Sequence, residues 1–210
     1  MSQNLAQFAL FFPIFLFSLS FHEFSHAWTA NRLGDPTARL LGRLTLNPLH
    51  HIDLIGTVLF PLMMFLMPGL TLFGWAKPVP VNPHHLRGGR VGNLKVSLAG
   101  PLSNLLLAGL FAALFRFVLG WQGETTLYLM LIQMLEIGVF LNLSLAIFNL
   151  IPIPPLDGSG ILVGLLPDQY LEGYYRFSQY GFILLFIAFY IGLLRLLMYP
   201  IHWIAGILLP

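Results

Sequence analysis

Long apolar runs alternate with short polar segments along the whole chain. The runs cover residues 5–31, 54–73, 94–119, 127–150 and 177–198, and a shorter apolar stretch, 199–210, follows them. An α-helix needs about 20 mainly apolar residues to cross the hydrocarbon core of a bilayer. The pattern therefore predicts an all-α polytopic membrane protein with five to six transmembrane helices.

Composition supports this fold class and narrows the range of functions. Of the 210 residues, 57% are hydrophobic and only 9% are charged, which is too little charge to cover a water-soluble domain. We therefore expect the lipid bilayer to surround the chain. The net charge of +2 includes no basic run, which argues against nucleic acid as a partner. Because cysteine is absent, a transition metal would have to be held by histidines and carboxylates.

The polar segments between the apolar runs are short. The three longest cover residues 32–53, 74–93 and 151–176, and none is long enough to form a separate soluble domain. We therefore expect one membrane-embedded domain over residues 1–210. Its core would cover about residues 5–165, and accessory spans would cover about residues 177–210.

Two histidines and a glutamate interrupt the first apolar run, in the sequence SFHEFSHAW. His22 and His26 are four residues apart and lie on one face of a helix, with Glu23 beside them. In this HExxH arrangement the two imidazoles bind a zinc ion and the glutamate acts as the general base. Ionisable residues inside membrane helices are rare and commonly functional. The motif therefore predicts a zinc site with one Zn2+ per chain.

A catalytic zinc site needs a third protein ligand. We expect the remaining histidines to be solvated or interfacial; they are His50, His51, His84, His85 and His202. Among the aspartates, Asp157 stands out because it lies in FNLIPIPPLDGSGIL, where prolines interrupt an apolar segment. Irregular backbone at membrane depth occurs where it is buried in protein or lines a cavity. Such a break would deliver Asp157 to an internal site.

These motifs resemble those of a known family. HEFSH in a membrane helix, followed about 130 residues later by NLIPIPPLDG, is similar to the site-2 protease family (peptidase family M50) of intramembrane zinc metalloproteases, in its compact form without PDZ or CBS domains. The segments LGDPTARLLGRLTLNPLHHIDLIGT, FGWAKPVPVNP and SLAGPLSN also resemble bacterial members. The resemblance extends from about residue 18 to about residue 165.

The resemblance implies a role for each motif residue. His22 and His26 match the two zinc-binding histidines of the family, and Asp157 matches the third ligand. Glu23 matches the general base. Asn149, eight residues before Asp157, matches a polar residue near the substrate carbonyl, although an interhelical hydrogen bond is the alternative for an asparagine in a helix bundle.

A transmembrane substrate must be unwound before its peptide bonds can be cleaved, so something must hold it extended. RLTLNPL alternates polar and apolar residues, which predicts a short strand, and the resemblance implies a re-entrant β element at residues 40–49. A plain interfacial loop is the alternative. Strand addition to this edge would make the following residues substrate-binding: Arg43, Leu44, Thr45, Leu46 and Asn47. GWAKPVPVNP could form a wall or gate across the site, or a rigid connector.

The function implied is proteolysis of single-span membrane-protein substrates in or near their transmembrane segments, in a prokaryotic inner membrane. The alternative is a membrane metal-ion transporter that uses the same His and Asp residues. A transporter would favour several ligand sets along a path, whereas this chain has one set with an adjacent glutamate. A non-catalytic scaffold would be expected to lack Glu23 or Asp157, and both are present.

Overall fold

Helices form the regular structure of the described residues, 2–67 and 74–209, in a computed structural model. The α-helices in these ranges are α1 (Ser2–Arg32), α2 (Thr37–Leu40), α3 (Phe60–Leu66), α4 (Arg90–Leu119), α5 (Thr126–Asn149), α6 (Asp157–Leu165), α7 (Asp168–Ser178), α8 (Gly181–Tyr190) and α9 (Met198–Leu208). No strand occurs within them. The prediction of an all-α protein is confirmed for this part of the chain.

Three helices are long and apolar enough to cross a membrane. They are Leu5–Arg32 within α1, Arg90–Leu119 and Thr126–Asn149. A fourth span results if the pair Gly181–Tyr190 and Leu193–Leu208, which is bent by 81°, is counted as one crossing. The predicted number of five to six spans is therefore not confirmed.

Breaks within the apolar runs account for the difference. The run at 54–73 forms the short apolar helix Leu54–Leu66, about 20 Å long, which is less than the roughly 30 Å hydrocarbon core. Residues 68–73 of that prediction lie outside the described part. In the run at 177–198, Gly192 adopts a left-handed conformation with φ of 75°, where the chain turns between two helices.

The predicted β element at residues 40–49 is not confirmed either. This stretch contains the end of α2, a turn and the start of the short 3-10 helix Pro48–His50. Local side-chain hydrogen bonds replace a strand ladder: the Asn47 N–H donates to the Thr45 hydroxyl, and Asn47 Oδ1 accepts from the Leu49 N–H. The alternation of polar and apolar residues does not by itself produce a strand, because a strand also needs a partner for its backbone groups.

Helix α4 is central, because it packs against α1, α5 and α6. The main apolar cluster joins α4, α5 and α9, and it consists of Ala108, Ala112, Val139, Leu143, Ile201 and Ala205. Arg116 of α4 fixes the end of α9 by donating hydrogen bonds to the carbonyls of Ile207 and Leu208, each 2.9 Å long. This arrangement places α1, α4 and α5 in one bundle.

Two glycines bring α6 against α4. A Cβ atom added at Gly160 would lie 2.1 Å from Ser97 Oγ, and one added at Gly164 would lie 2.5 Å from Leu94 Cβ. The four-residue spacing of the glycines puts both on one helix face, as in the small-residue contacts of membrane helices. Close packing of α6 brings Asp157, its first residue, to the bundle.

A buried carboxylate connects the loop after α1 to the segment of residues 74–82, which has neither helix nor strand. Asp35 is fully buried and accepts hydrogen bonds from the Thr37 N–H and hydroxyl, from the Asn82 N–H at 2.7 Å and from His85 Nδ1. Burial raises the pKa of Asp35, but these hydrogen bonds outweigh it and hold the pKa below its usual value.

We predict that Asp35→Ala lowers the melting temperature at pH 7, because the buried N–H donors lose their acceptor at a cost of about 1–3 kcal/mol each. The lowered pKa of Asp35 means that its contribution is fully present above about pH 4 and is lost as the pH falls through the folded-state value. Thermal unfolding in detergent between pH 7 and pH 3 should therefore show a gap between wild type and variant that narrows at low pH. Glu172→Ala, at an exposed ion pair, is the control and should change little.

Candidate metal centre

Three potential metal ligands meet where α1 faces the start of α6. His22 and His26 lie one turn apart on α1, and their Nε2 atoms are 3.0 Å from each other. The carboxylate of Asp157 lies across from both, with Oδ2 3.1 Å from His22 Nε2 and Oδ1 3.3 Å from His26 Nε2. They form the one group of three or more His, Asp or Glu residues in the described part of the chain that could hold a metal ion.

The hydrogen bonds of the imidazoles determine which nitrogens are free. His26 Nδ1 lies 2.7 Å from the Val96 carbonyl oxygen. A carbonyl can only accept, so Nδ1 carries the proton and Nε2 of the neutral ring presents a lone pair. His22 Nδ1 lies 2.6 Å from Asn104 Oδ1, which fixes the same tautomer provided that the Asn104 amide is oriented in this way.

A chain of buried polar groups fixes the orientation of Asn104. Asn142 Nδ2 lies 2.9 Å from the Gly138 carbonyl, which can only accept, so the NH2 group of Asn142 faces it. The opposite atom, Asn142 Oδ1, must then accept from Asn104 Nδ2 at 2.8 Å, which turns Asn104 Oδ1 towards His22. Asn142 also donates to Ser18 Oγ. We call the set Gly138, Asn142, Asn104 and Ser18 the polar relay.

Lone pairs therefore converge at the centre. Both Nε2 atoms are acceptors in the neutral rings and face two carboxylate oxygens, a repulsive arrangement that either a metal cation or protonation of an imidazole relieves. Asp157 Oδ2 is buried and has no hydrogen-bond partner among the described atoms. The two nitrogens are 3.0 Å apart, and each is 3.1 to 3.3 Å from one oxygen of the carboxylate, close to the spacing of about 3.3 Å between the ligand atoms of tetrahedral zinc. The donor set fits zinc.

Gly100 of α4 completes the cradle around the imidazoles. A Cβ atom at this position would lie 2.4 Å from His26 Nε2 and 2.5 Å from His22 Cε1. Such distances are far inside van der Waals contact, so even a methyl group would displace the rings. Glycine at this position allows the α4 backbone to form one wall of the centre.

Glu23 lies next to the imidazoles on α1 and is largely buried. Its Oε2 accepts a hydrogen bond of 2.8 Å from the Val79 N–H, so the 74–82 segment lies directly against this carboxylate. Pro78 and Pro80 have no N–H, and Val79 is consequently the only backbone donor among these three residues. Of the alternatives for GWAKPVPVNP, this contact favours a wall of the site over a connector remote from it.

Arg43 and His51 hold the 74–82 segment in place. The Arg43 guanidinium donates to the carbonyls of Lys77 and Pro78, and the Lys77 N–H donates to the His51 carbonyl at 2.9 Å. His51 is buried, and its Nε2 bonds to the Thr45 carbonyl. Burial also lowers the pKa of His51. The expectation of a solvated side chain is therefore wrong for this histidine.

The structure does not bring every predicted residue to the centre. Asn149 donates its side-chain amide to the Leu145 carbonyl of its own helix at 3.0 Å, with no hydrogen bond to the three ligands in the described part. Of the proposed substrate-binding residues, Arg43 is buried under the 74–82 segment and Leu46 is exposed. Leu44 and Thr45 are half-buried, and Asn47 is exposed and caps the 3-10 helix.

The sequence did not identify the residues around the ligands. Asn104, in SLAGPLSN, lies within α4, is fully buried and bonds to His22. Asn142 and Gly100 were not singled out. The sequence signal that could have identified the two asparagines is their polarity, because an asparagine inside an apolar span is costly unless it has a partner.

Known proteins similar to this chain agree with a metal centre. The sequence model of peptidase family M50 matches residues 118–189. YwhC of Bacillus subtilis is 39% identical over 185 residues, which are 87% of this chain and 81% of YwhC. Rip2 of Mycolicibacterium smegmatis is 34% identical over 172 residues, 82% of this chain and 63% of Rip2. Both relatives are named as zinc metalloproteases. No solved structure matches the chain at a significant level.

We predict that Gly100→Ala strongly reduces zinc binding, by about tenfold or more, because the new methyl group overlaps both imidazoles. Gly109→Ala is the matched control on the same helix, since nothing lies within 4 Å of a Cβ atom there. Competition with a metal chelator on both purified variants measures the affinity. Equal zinc affinities of the two variants would contradict the inference that Gly100 leaves room for the imidazoles.

We also predict that Asn104→Leu lowers zinc affinity by about 10- to 100-fold, because His22 loses the acceptor that sets its tautomer. Ser103→Ala is the control: this neighbouring hydroxyl is also buried, but it bonds only to the Gly100 carbonyl. Zinc titration followed by the absorbance of a competing chelator distinguishes the two variants. An unchanged affinity for Asn104→Leu would show that the relay does not orient the ligand.

Proposed function

The chain belongs to the site-2 protease family, peptidase family M50, and from this premise we propose that it is an intramembrane zinc metalloprotease. Its substrates would be single-span membrane proteins, cleaved in or near their transmembrane segments as in regulated intramembrane proteolysis. We place it in a prokaryotic inner membrane, because relatives such as YwhC are bacterial. The three apolar helices and the family make it an integral membrane protein.

One observation carries this proposal. The lone pairs of His22 and His26 and the carboxylate of Asp157 converge at 3.0–3.3 Å, and Glu23 lies beside them on α1. A site for storage or transport of a metal needs only the ligands, whereas an additional buried carboxylate is what hydrolysis requires. We therefore assign one zinc ion per chain to His22, His26 and Asp157.

Each residue has a definite task in the proposed reaction. Zinc, when bound, lowers the pKa of a coordinated water and polarises the substrate carbonyl. Glu23 accepts the proton of the attacking water and returns it to the leaving amine. The Val79 N–H holds Glu23 Oε2, which leaves Oε1 as the oxygen that moves the proton. The polar relay holds His22 in the tautomer that binds the metal.

Asn149 is our candidate for the group that stabilises the developing oxyanion. It ends α5, eight residues before Asp157, and its amide is held by a single bond to the Leu145 carbonyl. Rotation of the side chain away from that carbonyl would free an N–H donor, and one such donor contributes about 3–4 kcal/mol in other hydrolases.

We propose that the unwound substrate lies beside the 74–82 segment, with residues 43–47 as its contacts. Arg43 is the strongest candidate of this group, because its Nε is buried with no hydrogen-bond partner in the described part of the chain. Leu44, Thr45, Leu46 and Asn47 follow it on the same stretch. A buried donor without a partner is costly, and a substrate carbonyl would satisfy it.

The decisive prediction separates catalysis from metal binding alone. Glu23→Gln keeps the volume of the side chain but cannot accept a proton, so it should retain zinc and lose cleavage by a factor on the order of 100 or more. Asp157→Ala removes a ligand and should lose both zinc and activity. Bound zinc and cleavage of a single-span test substrate are measured in parallel, with Glu172→Gln as an exposed control.

Two outcomes would contradict the assignment. Wild-type cleavage by Glu23→Gln would remove it as the general base. Metal flux into liposomes that depends on His22, His26 and Asp157, without cleavage by the zinc-loaded wild type, would favour the transporter alternative.

A further inference from the structure

A second acidic residue lies inside the membrane spans, away from the metal centre. The three spans contain two acidic residues, Glu23 and Glu136. Glu23 belongs to the site described above. Glu136 is the eleventh of the 24 residues of α5, about 15 Å from the start of a helix about 36 Å long. Its side chain is exposed, so with α5 across a bilayer it would lie near mid-depth against hydrocarbon.

Within residues 2–67 and 74–209, Glu136 has no neutralising partner. It makes no hydrogen bond or ion pair with the residues at 2–67 and 74–209, and the sequence of the remaining positions contains no lysine, arginine or histidine. Gln133, one turn before Glu136 on α5, is likewise exposed and makes no side-chain hydrogen bond to a described residue. Polar groups in this position are expensive, because lipid tails offer no hydrogen bonds.

Both side chains line a groove beside α1. The groove has a volume of about 410 Å3, and it is lined by Phe11 of α1 and by one face of α5: Gln133, Glu136, Ile137, Phe140, Leu141 and Ser144. The spacing of the α5 residues, three and four apart, makes a continuous stripe along the helix. An apolar groove with two unsatisfied polar groups suits a helix that is apolar except for one donor side chain.

The direction of the groove relates it to the metal centre. Phe11 and His22 are both on α1, eleven residues and about 16 Å apart along the axis. At the other side, Ser144 lies two residues from Asn142 of the polar relay. A helix in the groove would therefore run alongside α1 towards the metal ligands.

The three long spans of a second copy of this chain supply no basic partner for Glu136. The basic residues of the three spans are Arg32, Arg90, Lys95 and Arg116, and each lies within about two turns of a helix end. None is deep enough to meet Glu136 in a neighbouring copy. Arg116 is in addition bonded to the carbonyls at the end of α9.

We propose that this groove binds the transmembrane helix of the substrate, and that Glu136 pairs with a lysine or arginine in that helix. The inference rests on the proposed proteolytic function, which it extends to substrate selection. The distance along α1 corresponds to about ten helical residues, so the basic residue lies about ten positions from the cleaved bond. Apolar anchor residues of the substrate fill the rest of the stripe.

Cysteine cross-linking tests the docking directly, because the chain contains no cysteine. The variant Glu136→Cys, made in the Glu23→Gln background so that substrate is not consumed, is reconstituted with test helices that carry one cysteine at successive positions. We expect a cross-linking maximum about ten residues from the cleavage point. Leu106→Cys, lipid-exposed on α4 and not among the groove residues, is the matched control.

Cleavage kinetics test the role of the charge. Glu136→Gln should slow cleavage of a helix with lysine at that position by about 3- to 30-fold, and should leave cleavage of the same helix with leucine unchanged. Glu136→Lys combined with glutamate in the substrate should restore the rate. Zinc content should stay at the wild-type value, and Glu124→Gln in the exposed loop is the control.

The outcomes separate this inference from the proposed function. Cross-linking no stronger than with Leu106→Cys, or cross-links between two copies of the chain, would overturn substrate docking at Glu136. Equal effects of Glu136→Gln on the lysine and leucine substrates would overturn the charge pairing. Failure of zinc-loaded wild type to cleave any test substrate would instead refute the proteolytic function, while the cross-linking result would still decide whether the groove binds a helix.

Discussion

The centre depends on a hydrogen bond that no metal ligand makes: the contact of Asn142 Nδ2 with the Gly138 carbonyl. The backbone oxygen can only accept, so it orients Asn142, which orients Asn104, which places the proton on His22 Nδ1. Water is scarce among apolar helices and cannot reverse this order. Contacts among three helices thus set the tautomer of His22 in the absence of a metal ion. The affinity of the centre for zinc therefore depends on how these helices pack.

The need to satisfy buried polar groups also explains how the 74–82 segment is held in place. It has no helix or sheet to satisfy its backbone, and prolines remove two of its donors. Three of its remaining backbone groups have fixed side-chain partners: the Lys77 carbonyl bonds to Arg43, the Val79 N–H to Glu23 and the Asn82 N–H to Asp35. The segment is therefore held at both ends and in the middle, with its middle contact on the residue to which we assign the proton transfer.

The sequence pattern predicted the features of this fold that depend on residues close together in the chain. The spacing of His22 and His26 and the long helices α1, α4 and α5 follow from residues close in sequence, and all were expected. The contacts that join His22, Asn104, Asn142 and Ser18 are between residues 38 to 124 positions apart, and Gly100 matters only because α1 packs on it. No periodicity encodes such contacts. The β element failed for the opposite reason, since a local alternation at 43–49 had no neighbouring strand to pair with.

One rule connects the metal centre to the groove on α5. A polar side chain in a membrane span must be satisfied, and here every asparagine of the relay and Glu23 itself finds its partner within the chain. Glu136 and Gln133 do not, among the residues that the structure describes. The helix packing that satisfies the relay and Glu23 gives no structural reason for two exposed polar side chains at mid-span. We therefore look for their partner outside the chain, in the substrate helix that we propose the centre cleaves.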